Sequence, residues 1–100
     1  MTRRLSLDSY VVETLMPDLI GHDRAPSAFI VYLALWAKTS GRRGAAAAAS
    51  YADLAEDCGL SRRAVQDAVR HLTRRRLIAV ERDSPTATPR YAVLRPWIRR

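Results

Sequence analysis

The stretch 50-SYADLAEDCGLSRRAVQDAVRHLTRRRLI-78 decides how the chain is to be read, because two short amphipathic segments meet there at a glycine. Ser50 stands three residues before Asp53, so its hydroxyl can accept the Asp53 N–H while the Asp53 carboxylate bonds back and meets the positive end of the helix dipole. A helix starts there. Leu54, Ala55 and Cys58 give it an apolar face, and Asp53, Glu56 and Asp57 a wet one. Gly59 supplies the left-handed residue that ends a helix at least cost, with Leu60 returning to the core. Ser61 caps the next helix, in which Val65, Ala68, Val69 and Leu72 follow the i, i+3, i+4, i+7 rule of a buried face.

The opposite face of that second helix carries Arg62, Arg63, Gln66 and Arg70. Two helices joined this tightly must cross steeply, which is the helix-turn-helix arrangement whose second helix enters the DNA major groove N-terminus first. Arginine pairs bidentately with guanine and glutamine with adenine. On this reading Arg62 and Gln66 lie nearest the base edges, Arg63 and Arg70 nearer phosphate. Ser61 presents its hydroxyl and the helix N-terminus to a phosphate.

The run LAEDCGLSRRAVQDAVRHLTRRRLI resembles the helix-turn-helix of winged-helix DNA-binding proteins, a group that includes MarR-like and GntR-like regulators and phage or plasmid replication-type domains. Leu54, Ala55, Gly59, Leu60, Ser61, Arg62, Val65, Val69, Leu72, Leu77 and Ile78 carry the match. The resemblance implies a mainly α fold with a small β-hairpin wing, a winged helix-turn-helix. It departs from the pattern at Ala64, where such proteins often have Thr, and at Asp67, often basic or neutral. Asp67 would repel phosphate unless it faces a cytosine amine or pairs with a neighbouring arginine.

Size and charge agree with this. One hundred residues make one small domain with a single modest core. The net charge of +7 is uneven: residues 1–60 carry a net −1 and residues 61–100 a net +8. The positive field belongs to the half that would meet nucleic acid. A single cysteine, Cys58, excludes a disulfide framework within the chain and suits a reducing cytoplasm. His22 and His71 have no partners at metal-ligand spacing, so neither a zinc site nor another cofactor is expected. The longest apolar run, Ala28 to Ala37, falls far short of the roughly 20 residues of a membrane span, and no signal-peptide core follows the basic Met1 to Arg4.

Outward from the central stretch, residues 1–25 read as an N-terminal arm, 26–98 as the winged domain and 99–100 as a solvated basic tail that adds non-specific affinity. In the arm, Asp8 can cap a short helix through Tyr10, Val11, Leu15 and Met16, and Pro17 forces a boundary or kink; the alternative is a strand around Tyr10 to Val12. Leu5, Leu7, Tyr10, Val11, Leu15 and Leu19 either close the core or form a dimer interface. Pro26 opens a helix through Lys38 that is apolar nearly all round, with Tyr32 and Trp36 as packing residues. Gly41 to Gly44 reads as a flexible basic turn. Five alanines, Ala45 to Ala49, favour helix by propensity, but the Ser50 cap would be wasted in mid-helix, so they are expected to be extended.

Beyond Leu72, Arg74, Arg75 and Arg76 offset the helix dipole. The turn that follows lacks the usual glycine, and a left-handed Arg76 would cost roughly 1 kcal/mol. Ile78 to Arg82 and Arg90 to Leu94 alternate as strands of a hairpin. Arg82 and Arg90 flank its base within reach of phosphate or minor groove, while the tip has no cation for deep insertion. Trp97 and Ile98 are expected to fold back onto the first helix or the arm.

The reading that follows is a cytoplasmic, sequence-specific transcriptional regulator of double-stranded DNA, a homodimer with half-sites about 34 Å apart and no evident small-molecule effector. The alternatives are a replication or mobile-element module and a winged helix used for protein contacts. No carboxylate pair, activated nucleophile or glycine-rich phosphate loop marks an enzyme.

Overall fold

The computed structural model describes residues 2–98; the predicted basic tail, Arg99 and Arg100, lies outside them. After an irregular start, a wide-turn helix covers Val11–Leu15 and Pro17–His22. Helices α1 (Pro26–Thr39), α2 (Tyr51–Cys58) and α3 (Arg62–Arg74) follow, with strand β1 (Ala47–Ala48) before α2 and β2 (Ile78–Glu81) and β3 (Arg90–Val93) after α3.

The arm is helical at Tyr10 to Val12, not a strand, but its start and its proline both differ from expectation. The Asp8 carboxylate does not cap it; that carboxylate faces the far end of the chain, accepting from Trp97 Nε1 at 3.0 Å and from Arg95. Pro17 does not end it. The N–H of Met16 reaches the Val11 carbonyl and that of Asp23 the Asp18 carbonyl, each five residues back. A proline ring collides with the carbonyl four residues behind it in an ordinary helix, and widening the turn relieves that collision.

Helix α1 is the centre of the molecule, touching α2, α3, β1, β3 and the wide helix. It is not apolar to the same effect all round: Ala28, Phe29, Val31, Tyr32, Leu35 and Trp36 are buried, whereas Ile30 is exposed and Leu33 and Ala34 are half-buried. The two large aromatics have their polar ends satisfied, Tyr32 Oη donating to the Leu94 carbonyl at 3.0 Å and Trp36 Nε1 to the Ser6 carbonyl at 2.8 Å, as buried Tyr and Trp require. The helix leaves through left-handed Ser40 and Gly41. Gly41 is no loose hinge: it is buried, and a Cβ there would lie 2.4 Å from the Trp36 ring.

The alanine run is extended, and it contributes more than a linker. Its central pair joins the wing as a third strand, in the antiparallel order β1-β3-β2, with Ala47 opposite Tyr91 and Ile78 opposite Val93. The Ser50 capping box forms as read, Ser50 Oγ accepting from the Asp53 N–H at 3.0 Å and the Asp53 carboxylate from the Ser50 N–H at 3.1 Å. A closed cap stops α2 growing backwards into the alanines, which frees the Ala49 N–H for the Pro89 carbonyl at 3.2 Å.

The arm is part of the same core, with Val11, Leu15 and Leu19 all buried, but Leu5, Leu7 and Tyr10 stay exposed. Tyr10 instead stacks on Trp97 at 4.5 Å between ring centroids, so Trp97 folds onto the arm while Ile98 remains in solvent.

Candidate nucleic-acid interface

Helix α3 is placed by its own caps and by the α2–α3 turn. Gly59 takes φ 68°, and Ser61 Oγ accepts the Ala64 N–H at 3.1 Å. The Ser61 hydroxyl proton is left to donate outward. Val65, Ala68, Val69 and Leu72 face the core. At 100° per residue the stripe directly opposite them consists of Arg63, Asp67, Arg70 and Arg74, flanked on one side by Arg62, Gln66 and Thr73 and on the other by Ala64 and His71. Thus Arg62, Arg63 and Arg70 are brought together on one exposed face, with Gln66 half-buried at its border. Arg74 shares the stripe, and its spacing of four from Arg70 was the signal for it.

Asp67 makes sense in this setting. Its carboxylate lies 3.4 Å from both Arg63 Nε and Arg70 Nη1, so the acidic residue on the basic face pairs with neighbouring arginines. Such exposed pairs contribute only a few tenths of a kcal/mol. Their effect is on placement: they hold two guanidiniums apart along the face and can be exchanged for phosphate at little cost.

The wing arginines differ from one another. Arg82 reaches back to α2, its guanidinium 5.8 Å from the Tyr51 ring centre and 3.4 Å from the Tyr51 hydroxyl. Arg90 is committed to Asp83 through two contacts of 3.1 and 3.3 Å, which hold the Asp83 carboxyl below the usual carboxylate range. Arg90 must give up that pairing before it can meet phosphate.

Beyond α3 the arginine run does more than offset the helix dipole. Arg75 binds the Asp18 carboxylate and lies 3.4 Å from that of Asp23. His71 Nε2 is 2.7 Å from Asp23 as well. Asp18 on the wide helix and Asp23 just after it therefore anchor the C-terminal turn of α3. The histidines are not isolated, contrary to the sequence reading: His22 Nδ1 also lies 3.0 Å from Asp23, and Asp18, His22 and Asp23 converge within 4.8 Å. The carboxylates of that group are already engaged by the Arg75 guanidinium and by His71 Nε2, so the cluster is a closed polar network. Hydrogen bonds, first from His22 and then from His71, with the Arg75 charge, hold Asp23 below the ordinary carboxylate range against its burial, and the same Asp23 bond raises His22.

Comparison with known families matches residues 25–78 to the helix-turn-helix domain family. The match runs from the start of α1 through the whole two-helix unit into β2, more than half of the chain. The chain belongs to this family of helix-turn-helix domains, which supports DNA binding in general, and the two-helix unit is here followed by a small wing. No curated protein and no solved structure matches the chain. Among the described residues no helix is long and apolar enough to cross a membrane.

Proposed function

We propose that the protein is a sequence-specific transcriptional regulator that reads the major groove with the N-terminal half of α3. The observation that carries this is the outer face of α3, where Arg63 and Arg70 stand opposite the packed core face with Arg62 and the half-buried Gln66 along one flank. Arg62 and Gln66 reach base edges from the first two turns; Arg63 and Arg70, spaced by Asp67, take phosphate; Ser61 donates its hydroxyl to the backbone. Arg82 steadies the wing base on Tyr51 and adds a phosphate contact, with Arg90 a lesser one because of Asp83. Nothing in this reading requires a cofactor or a catalytic group.

The reading extends to a homodimer. Val12, Met16 and Ile20 stand exposed at intervals of four along the wide helix, outside the family-matched segment, and a two-fold pairing there would present two recognition helices to a palindromic site.

Selection from a random duplex pool at two salt concentrations tests the proposal. A recovered motif with steep salt dependence is expected, and its palindromy reports the dimer. Arg62→Ala should cost about 1–3 kcal/mol and relax one base position, while Arg63→Ala should weaken all sequences alike. A motif confined to a replication origin would make the protein an initiator; binding without any motif would overturn sequence-specific regulation.

A further inference from the structure

Beside the recognition face lies a cleft of about 470 Å³ between the N-terminus of α1 and the flank of α3, lined among others by Asp23, Arg24, Ser27, Arg70, His71 and Arg74. The Asp23 carboxylate meets His71 and an Arg75 that it shares with Asp18, and the carboxylate of Asp67, also on the lining, is shared by Arg63 from outside the cleft and Arg70 within it. Arg24 and Arg74 are left as surplus positive charge, and Arg70 shares Asp67 with Arg63. Arg24 is exposed, and among the described residues no carboxylate pairs with it.

The guanidinium of Arg74 is aimed. With Nε2–H given to Asp23, the His71 ring keeps a lone pair on Nδ1, and Arg74 Nη2 lies 3.3 Å from it. In the neutral ring with its N–H directed at Asp23, Nδ1 is the acceptor that faces Arg74. On the opposite wall, α1 begins at Ala25 with no side-chain cap and Pro26 in its first turn, and the Ala28 and Phe29 N–H groups both turn back to the Ala25 carbonyl. Ser27, half-buried, lines the cleft, and among the described residues its hydroxyl has no hydrogen-bond partner.

We propose that this cleft seats a backbone phosphate of the DNA, gripped by Arg24, Arg70 and Arg74 with Ser27, while His71 acts as a positioning residue for Arg74. The inference rests on the DNA-binding reading above and adds to it a contact that fixes the register of α3 in the groove. A phosphodiester suits the site because it carries one negative charge and several acceptor oxygens, to which guanidiniums and a serine donate together. Arg74 lies one turn beyond Arg70 on the stripe assigned to phosphate, so a strand whose phosphates meet Arg63 and Arg70 runs on toward the cleft mouth.

The test is the salt dependence of binding to one duplex by the full chain. Arg24→Ala and Arg74→Ala should each lower the slope of log K against log salt by about 0.9 and weaken all sequences alike, with thermal midpoints unchanged. His71→Phe should weaken binding in the native background and have no further effect in the Arg74→Ala background, a coupling that a purely structural role would not produce. If the native chain binds duplex DNA and both arginine variants keep its slope, the seat is wrong and the regulator reading survives; if the native chain binds no duplex, both fall. Inorganic phosphate at matched ionic strength should leave binding unchanged, and selective loss of the part of binding that depends on Arg24 and Arg74 would mark a site for free anions instead.

Discussion

The α2–α3 unit and the N-terminal arm are both helical and both contribute buried side chains to one core, yet they owe their shapes to different causes. The unit is specified within itself: a capping box at Ser50, a left-handed glycine at Gly59, a second cap at Ser61 and an apolar face on each helix. The arm is specified from far away. Asp8 bonds to Trp97 across 89 residues, Asp18 to Arg75 across 57 and Asp23 to His71 across 48. Local signals set where α3 starts and which face it buries; distant ones make the arm a clasp that ties the N-terminus to α3 and the chain end.

The most severe way to break this contrast is in the core. Leu19 on the arm and Leu54 on α2 are both fully buried. If the arm belongs to the same cooperative unit, Leu19→Ala should cost about 2–5 kcal/mol, as Leu54→Ala should, with one transition in denaturant for both. A cost under about 1 kcal/mol for Leu19→Ala, with a separate early transition, would show that the arm frays on its own.

Next in size is the clasp. Asp8→Ala removes the acceptor for Trp97 Nε1 and the partner of Arg95 and leaves a half-buried indole N–H without its bond, at about 1–3 kcal/mol. Near-ultraviolet circular dichroism should lose the signal of the stacked Tyr10–Trp97 pair while the far-ultraviolet helix signal persists. An unchanged near-ultraviolet spectrum would mean that the stacking holds without the carboxylate.

A smaller comparison lies within the local half. The turn ending α2 uses glycine at φ 68° and the turn ending α3 uses Arg76 at φ 56°. A Cβ at Gly59 meets no atom within 4 Å, so Gly59→Ala should cost only the left-handed penalty of roughly 1 kcal/mol. Arg76→Gly should recover a similar amount. The closing bonds, Arg76 N–H to the Thr73 carbonyl and Leu77 N–H to that of Leu72, both 3.0 Å, do not involve the side chain. Equal midpoints for Arg76→Gly and the native chain would mean that the Arg76 side chain makes a compensating contact.

The same division governs what could be read in advance. The recognition helix, its caps, its exposed arginines, the left-handed turn at Arg76 and the extended alanines follow from spacings of three to seven residues, which the chain states directly. Even Asp67, an apparent departure from type, had its partners at i−4 and i+3. What escaped were choices among distant partners: that Asp8 would take Trp97 and not a helix end, that Arg75 would anchor the arm, and that Ala47–Ala48 would pair with β3. Each depends on which surfaces packing brings together. Arg24 is the extreme case, since only the fold sets it beside Arg70 and Arg74.

The smallest expected effect concerns pH, and it too separates the halves. Asp23 has its folded pKa below the ordinary value of 3.8, so its ion-pair network contributes stability above that value and loses it as pH falls through the lower folded value. His22 is raised above 6.5, so its contribution is present below 6.5 and fades as pH rises through the folded value. His22 is exposed, which keeps that limb slight. Asp53 is also lowered, by the Ser50 backbone N–H, but its partner is local and the bond is lost together with α2. Acidification should therefore loosen the arm from α3 before it melts the two-helix unit, seen as faster amide exchange at Leu19 to Asp23 than at Val65 to Leu72 below pH 3.8. Asp23→Asn should bring the fast exchange to neutral pH without an acid step. Simultaneous exchange of both segments at every pH would show that the clasp and the recognition helix open as one.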